Sequence, residues 1–401
     1  MKSSQRIQNK YVFLAVSFIF WFSHFIYIPV LSPYIEFKGG QYAFIGLVLG
    51  SYGFMQFLFR LPMGIVSDLL KVRKPFIIFG MLVSALSCLA FAWTDSLGWI
   101  LLARSFAGLA ASAWVVFTVL YSSYFTDQHI HRAMGTISFV VVLAQFLGMS
   151  VSGLIVDTWG WTAPFWIGGT MGIVGVLLSL LVAESTEEIP REPVNLQDLA
   201  SVIREPMLLK VSLLSISAHG IIFTTMFGFV PTYALHIGLK ASDIGFIVCS
   251  FMIPHAAATL LSGGWFAPKL GEWKTLQLAF GATAFFTLII PFIETNVLLC
   301  VVLGLNGFSM GLLFPLFLGM AIESISPEKR ATAMGLYQAV YAIGMFVVPL
   351  IAGILNSSIG IAAGFYFSGL LALTALFLMV IWNPALRKKE TGYAWQRKQV
   401  K

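Results

Sequence analysis

The chain has 401 residues, of which 58% are hydrophobic and only 10% charged, and its formal net charge is +7. A water-soluble domain carries about 25% charged residues, so an ordinary soluble enzyme or binding module is excluded. The surplus of Lys and Arg is dispersed between apolar runs rather than gathered in one patch, which argues against a nucleic-acid partner.

A membrane helix needs roughly 20 predominantly apolar residues, and such runs recur along nearly the whole sequence. The first, 11–35, follows a basic start at Lys2, Arg6 and Lys10. It is too long for the apolar core of a secretion signal, and no small-x-small cleavage site precedes the polar turn Glu36–Gln41. It reads as a retained first span. Further spans are predicted at 42–66, 75–93, 97–125, 133–156, 162–183, 209–235, 243–266, 275–293, 296–322, 331–356 and 359–383. The expected fold is therefore an all-α integral membrane protein of twelve transmembrane helices. Cys88, Cys249 and Cys300 all lie inside apolar runs, so they read as packing residues and imply no disulfide framework.

Loop charge predicts orientation. With the N-terminus in the cytoplasm, that side holds Lys71, Arg73, Lys74, Arg132, Lys269, Lys274, Lys329 and Arg330, together with both basic termini. The opposite loops hold only Lys38 and Lys240, a strong positive-inside bias. A multi-pass plasma-membrane protein with both termini cytoplasmic is expected.

The longest polar stretch, Glu184–Lys210, divides the spans six and six. Residues 1–183 are expected to form one six-helix bundle and 184–208 a cytoplasmic linker. Residues 209–401 should form the second bundle with a basic tail. Asn195–Arg204 has apolar residues at helical spacing and predicts a short helix on the cytoplasmic face.

The halves repeat each other. Arg132-Ala-Met-Gly135 echoes Arg330 and Ala331-Thr-Ala-Met-Gly335. An offset of two hundred residues pairs Gly153 with Gly353, Gly160 with Gly360, Phe165 with Phe365 and Gly169 with Gly369, while Ile45-Gly46 matches Ile244-Gly245. Identities held in one register indicate duplication, hence two pseudo-symmetric bundles. Parallel repeats with a site at their interface are a secondary-transporter design.

Between the second and third spans stands Gly64-Ile-Val-Ser-Asp68-Leu-Leu-Lys71-Val-Arg73-Lys74-Pro75. A Gly, an acid four residues later and a basic cluster before the next helix resemble the loop signature of the major facilitator superfamily. Leu69 departs from it where a basic residue is usual, and Lys71 where a Gly is usual. The resemblance implies that Gly64, Asp68, Arg73 and Lys74 act as a conformational latch. The second-half counterpart, Gly264 to Lys274, has Pro268 in place of the acid, so the latch is expected to be one-sided.

Arg104, in Arg104-Ser-Phe-Ala-Gly108, resembles the same family's fourth-helix motif. A charge within the bilayer costs at least ~2.5 kcal/mol, so Arg104 should face a polar cavity or a partner. Arg60 lies nearer its helix end, where snorkelling or packing near Asp68 is expected at least as much as direct contact with a solute. Gly148-Met149-Ser-Val-Ser152-Gly153 resembles the Gly-Pro-x-x-Gly-Gly motif of export-type members, and Pro349 and Gly353 mark its duplicate. Close helix packing explains both as well, through Gly108, Gly148, Ser152, Gly153, Pro349 and Gly353.

Every carboxylate sits in a loop or at a span end. The groups inside spans that titrate near neutral pH are His24, His219 and His255, any of which could relay a proton or simply fill the core. Tyr27, Trp114, Gln145, Asn306, Gln338 and Tyr341, with Trp21 and Tyr337, would suit a large amphipathic cavity with few fixed charges. No metal-ligand spacing, P-loop, nucleophile elbow or paired intramembrane acid is present, so no cofactor, metal or enzymatic chemistry is expected.

The resemblance implies a monomeric transporter working by alternating access, with a small-molecule solute, protons and the lipid bilayer as its partners. Proton-coupled export of a drug-like or amphipathic metabolite is the leading expectation. Uptake of a small anionic or sugar-like solute anchored on Arg104 is the alternative. A non-transporting membrane sensor is the reading from another class.

Overall fold

The structure, a computed structural model, describes residues 3–125, 130–184, 202–325 and 329–382, and the regular elements among them are all helices. Eleven helices are long and apolar enough to cross a membrane: Asn9–Phe37, Tyr42–Leu69, Lys74–Trp93, Leu97–Ser123, Ala133–Trp159, Pro206–His236, Asp243–Leu270, Glu272–Phe292, Asn296–Glu323, Thr332–Ile359 and Ala362–Ile381. A shorter apolar helix, Ala163–Ser179, takes the sixth place and completes the expected twelve. They are numbered here as spans one to twelve in chain order. Of the expected linker helix only its last residues, from Val202, fall within the described part, and the basic tail lies outside it.

Helix is the only economical solution for these runs, because the hydrocarbon layer offers backbone N–H and C=O groups no partner. Their outward faces are correspondingly apolar: Leu260, Val297 and Ile359 are 81%, 77% and 76% exposed. In water such a surface would aggregate; in lipid it is solvated. The chain is a multi-pass membrane protein.

Two spans break at corresponding places. Span one turns at Ile26–Tyr27 and restarts at Ile28 with Pro29 in its first turn. Span seven widens into a π-helical turn at Thr225–Phe229 and restarts at Val230 with Pro231 in its first turn. A proline has no N–H for the carbonyl four residues earlier, so the carbonyls of Phe25 and Phe227 each lose their usual donor. Span four also breaks, at Ala113 between Leu97–Ser112 and Trp114–Ser123.

Packing repeats between the halves. Within the first, span two lies on four, three on six, and one on five and six. Within the second, eight lies on ten, nine on twelve, and seven on eleven and twelve. Across the halves, two packs on eleven as eight packs on five. This is the arrangement of two pseudo-symmetric six-helix bundles, the architecture expected from the internal repeat. One end of the assembly carries Asp68, Lys71, Arg73, Lys74, Lys269 and Lys274 and is called here the basic face. The other carries Glu36, Asp95, Asp157, Asp243 and Glu294 and is called the acidic face.

Candidate functional site

The two bundles meet along paired seams near the acidic face, built from duplicated glycines. A β-carbon on Gly46 would stand 2.3 Å from the Pro349 carbonyl oxygen, and one on Gly353 would stand 2.4 Å from that of Tyr42. In the other seam, a β-carbon on Gly153 would reach 1.8 Å from the Ala241 carbonyl oxygen, and one on Gly245 would reach 2.5 Å from that of Ser150. Only a hydrogen fits at these crossings, which is why small residues recur there. Hydrogen bonds reinforce both seams. The Ala43 amide donates to Ser357 Oγ at 2.7 Å, and the Ser242 amide donates to Asp157 Oδ2 at 2.9 Å.

The same side is tied by polar and ring contacts. His236 Nε2 lies 2.9 Å from Glu36 Oε1, and the Tyr42 hydroxyl donates to Glu36 at 3.0 Å. Deeper in, the rings of Phe25 and Phe227, whose carbonyls the two prolines leave free, meet edge-on across the interface at 5.7 Å. Tyr52 stacks on Phe223 at 5.9 Å. These contacts shut the acidic-face half of the path between the bundles.

Below them, toward the basic face, lies the polar centre. Arg60, only 4% exposed, donates from Nη1 to the Tyr341 hydroxyl at 2.9 Å, a bond between bundles across 281 residues of sequence. Its Nη2 reaches the Ala111 carbonyl at 3.4 Å, and its buried Nε has no partner. Tyr341 lies flat on His219, with ring centroids 3.8 Å apart and planes at 2°. His219 Nδ1 is held by Ser215, whose hydroxyl also meets the Tyr337 hydroxyl at 2.8 Å. Trp114, one turn beyond Ala111, meets Trp21 edge-on at 5.2 Å. Arg60 therefore neither snorkels nor turns toward Asp68. Local sequence gave no sign of this, because the partner is in the other half.

Arg104 belongs to a different setting. It is buried inside the first bundle, with its guanidinium carbon 4.1 Å from the Tyr52 ring centre and Nη1 donating to the Tyr27 hydroxyl at 3.2 Å. Ring faces rather than a carboxylate stabilise this charge. His24 is nearby in the same interior: Nε2 lies 3.2 Å from the Ala107 carbonyl, and Nδ1 lies 2.9 Å from the Phe20 carbonyl and 3.1 Å from Ser84 Oγ. Both ring nitrogens are thus engaged within one bundle. His255 packs between Phe251 and Phe314, and its Nδ1 is buried without a partner. Asn306 donates to Thr287 Oγ1 at 3.3 Å inside the second bundle. Gln145 and Gln338 are half-buried. Of the predicted residues, the structure brings together His219 and Tyr341 at the interface, leaves Trp114 against Trp21 and Phe117 in the first bundle, and sets Tyr27, Arg104 and His24 in a second cluster behind Tyr52.

The remaining packing residues act within or between bundles. A β-carbon on Gly108 would stand 2.5 Å from the Tyr52 carbonyl oxygen, and one on Gly148 would stand 3.1 Å from the Ile26 nitrogen. Ser152 is buried and bonds the Met149 carbonyl of its own helix at 2.8 Å. Gly64 packs against Val115.

The charged loop on the basic face is satisfied inside the first bundle. Arg73 Nη2 donates to Asp68 Oδ1 at 2.5 Å, and Nη1 donates to Ser67 Oγ at 2.7 Å. The backbone amides of Arg73 and Lys74 donate to the Glu184 carboxylate at 2.6 and 2.8 Å, an anion capping the start of span three. Lys74 Nζ donates to the Leu180 carbonyl at 2.7 Å. With the acidic face shut, these residues brace one bundle. A groove of about 560 Å³ beside the second span, lined by Gly39, Gln41, Phe44, Leu47 and Leu97, contains none of the predicted site residues.

Comparison with known proteins agrees with this geometry. Over 223 residues the chain is 30% identical to the inner membrane transport protein YajR of Escherichia coli, a match covering 55% of this chain and 48% of that protein. It is 22% identical to a protein of Mannheimia succiniciproducens described as a "Probable sugar efflux transporter", over 91% of each. The fold superposes on a bacterial homologue of the human lysosomal transporter Spinster with a TM-score of 0.80 at 13% identity, covering 95% of this chain and 97% of that one. The nucleoside transporter NupG gives 0.77 at 15% identity, covering 94% and 99%. The sequence profile of the Major Facilitator Superfamily matches residues 13–294 and 212–399. Twelve helices in duplicated bundles, glycine seams between them and a polar centre at their interface are thus joined to a sequence match along almost the whole chain, and the protein belongs to the Major Facilitator Superfamily of membrane transporters.

Proposed function

We propose that this transporter exports an amphipathic organic solute across a plasma membrane by alternating access, with protons moving the other way. The observation that carries the reading is the contrast between the halves of the interface. Glycine seams and helix caps lock the acidic-face half, while toward the basic face the polar centre carries a side-chain hydrogen bond between bundles, from Arg60 to Tyr341. A pair of bundles hinged in this way can exchange which side it closes. The positive-inside bias makes the basic face cytoplasmic, with both termini on that side. Residues 184–208 would then be a cytoplasmic linker between bundles 1–183 and 209–401. The rings of Trp21, Trp114, Phe223 and Phe227 suit an amphipathic solute, and a relative described as a sugar efflux transporter supports export. Nothing in the mechanism requires more than one copy of the chain.

Span interiors offer a proton histidine rather than acid. His219 is the best placed of the three, because it lies against Tyr341 and its Nδ1 is anchored to Ser215, leaving Nε2 with no hydrogen bond to any described residue. A proton gained or lost there acts directly on the ring that Arg60 holds. Uptake of a small anionic solute is the second reading, favoured by the carboxylate-free setting of Arg60. The test is transport in proteoliposomes under an imposed pH gradient, screened against lipophilic cations, sugars and organic anions. His219→Gln should lose pH-driven accumulation and keep downhill exchange. Normal pH-driven accumulation in His24→Gln, His219→Gln and His255→Gln alike would contradict a histidine relay, and sodium-dependent or gradient-independent uptake would favour the second reading.

A further inference from the structure

Arg60 presents hydrogen-bonding capacity that the protein leaves unused. Its Nε is buried without a partner, and its Nη2 contact with the Ala111 carbonyl is long at 3.4 Å. Those two groups form one edge of the guanidinium fork, the edge that grips a carboxylate with two parallel bonds. One turn earlier on the same face of span two, Gln56 Nε2 is also buried and makes no hydrogen bond of good geometry, although the Tyr52 hydroxyl is beside it. The orphaned groups are therefore donors, and they converge on the strip between span two and spans four, seven and eleven. No carboxylate among the described residues pairs with either Arg60 or Arg104; Asp95 pairs with Lys38 and Asp68 with Arg73. Two guanidinium charges in a low-dielectric interior with no counter-charge set up a positive field along this strip.

The half-buried groups beside Arg60 are aromatic: Tyr341, which it bonds, and the His219 ring stacked on Tyr341. They would flank a flat or extended apolar body whose acidic end reaches Arg60.

We propose that Arg60, with Gln56 and the Tyr341 hydroxyl, forms an anion-accepting subsite, and that the solute is an amphipathic organic acid whose carboxylate completes the hydrogen bonds of Arg60. This rests on the reading of the chain as a solute transporter and names the chemical class of its cargo. Arriving carboxylate takes the Nε–Nη2 edge and competes with Ala111. It also weakens the claim of Tyr341 on Nη1, so that binding loosens a side-chain hydrogen bond between the two bundles at the polar centre.

The test uses the purified full-length protein and two matched probes, 2-naphthoate and its neutral isostere 2-naphthamide. Binding is read as concentration-dependent thermal stabilisation, and transport as counterflow in proteoliposomes. Wild type should bind the acid about tenfold or more tightly than the amide, as charge-assisted bonds to a buried fork require. Arg60→Gln should abolish the preference by weakening the acid and leaving the amide unchanged, and Arg60→Lys should restore part of it. Should Arg60→Gln fail to fold, Gln56→Leu keeps the cation and should weaken acid binding alone, by roughly threefold. Equal binding of both probes by wild type, no stabilisation by the acid, or a preference that survives in Arg60→Gln or is untouched in Gln56→Leu would overturn the subsite. Amide moved as fast as acid would also overturn it while leaving transport intact. Acid that binds with the predicted preference but is never moved would contradict the transport reading instead.

Discussion

Asp157 and Ser357 stand two hundred residues apart and do the same thing across the bundle interface. Each ends a long helix on the acidic face, and each caps the start of a helix in the other bundle, Asp157 at the Ser242 amide and Ser357 at the Ala43 amide. The glycines just before them, Gly153 and Gly353, let the backbones cross closely enough for the caps to reach. Loss of a helix cap costs ~1 kcal/mol. Asp157→Ala should therefore shift the bundles modestly toward an open acidic face, and Gly153→Ala should shift them further, because its β-carbon would overlap the Ala241 carbonyl. Spin labels at positions 38 and 240 would report the shift as a longer distance population. Unchanged distances in Gly153→Ala would show that the seam is not close-packed.

Lys71 departs from the family's loop pattern, and the structure shows how it is accommodated. Its φ is 54°, in the left-handed region, and its counterpart Gly271 has φ 81°. A side chain there costs roughly 1–2 kcal/mol, whereas glycine costs the unfolded chain about 0.5–1 kcal/mol of extra entropy. Lys71→Gly should raise stability slightly, by less than ~1 kcal/mol, in thermal unfolding of the purified protein. A clear loss of stability would mean that the Lys71 side chain contributes more than its backbone costs.

Arg104 is held by two tyrosines. Lysine cannot cover the Tyr52 ring and bond the Tyr27 hydroxyl in the same fixed plane, so Arg104→Lys should insert and fold yet transport roughly tenfold more slowly. Tyr27→Phe removes one bond to a charged group, a loss of about 1.5–3 kcal/mol in stability. Both are read from rates and melting points at matched protein content. Wild-type values in both variants would make the cluster a passive filler.

Asp68 pairs with Arg73 inside its own loop while the acidic face is shut. On the proposed cycle, the latch role expected from the motif would belong to the opposite state, in which the basic-face ends come together. Asp68→Asn should cut transport sharply and leave solute binding nearly unchanged, measured as a rate loss in proteoliposomes beside an unaltered ligand-induced melting shift. Undiminished turnover would remove the latch.

Most of the architecture is legible in the sequence, because bilayer thickness and backbone satisfaction leave helices of one length as the solution. The duplicated register, Gly153 with Gly353 and Gly46 with Gly245, also points to the residues that form the seams. What they touch is not legible: each contacts the other half, and helix rotation is set by packing rather than by local pattern. The same reason hides Arg60, whose partner Tyr341 lies in span eleven. Arg104 reads as a charge that needs a cavity or a partner, but nothing local to it marks Tyr27 and Tyr52, which the structure places against it. The break at Ile26–Tyr27 has a local sign in Pro29. The π turn at Thr225–Phe229 is marked only by Pro231, which by itself does not distinguish a kink from a widened turn.

On the proposed cycle, the bundles must part at the acidic face for solute to move. The most direct test is a reversible crosslink there: Ala43→Cys with Ser357→Cys, in a protein whose Cys88, Cys249 and Cys300 are replaced by alanine. Oxidation should abolish counterflow in proteoliposomes, and reduction should restore it to the rate of the uncrosslinked protein. Fully crosslinked protein that still transports at that rate would contradict alternating access through this interface.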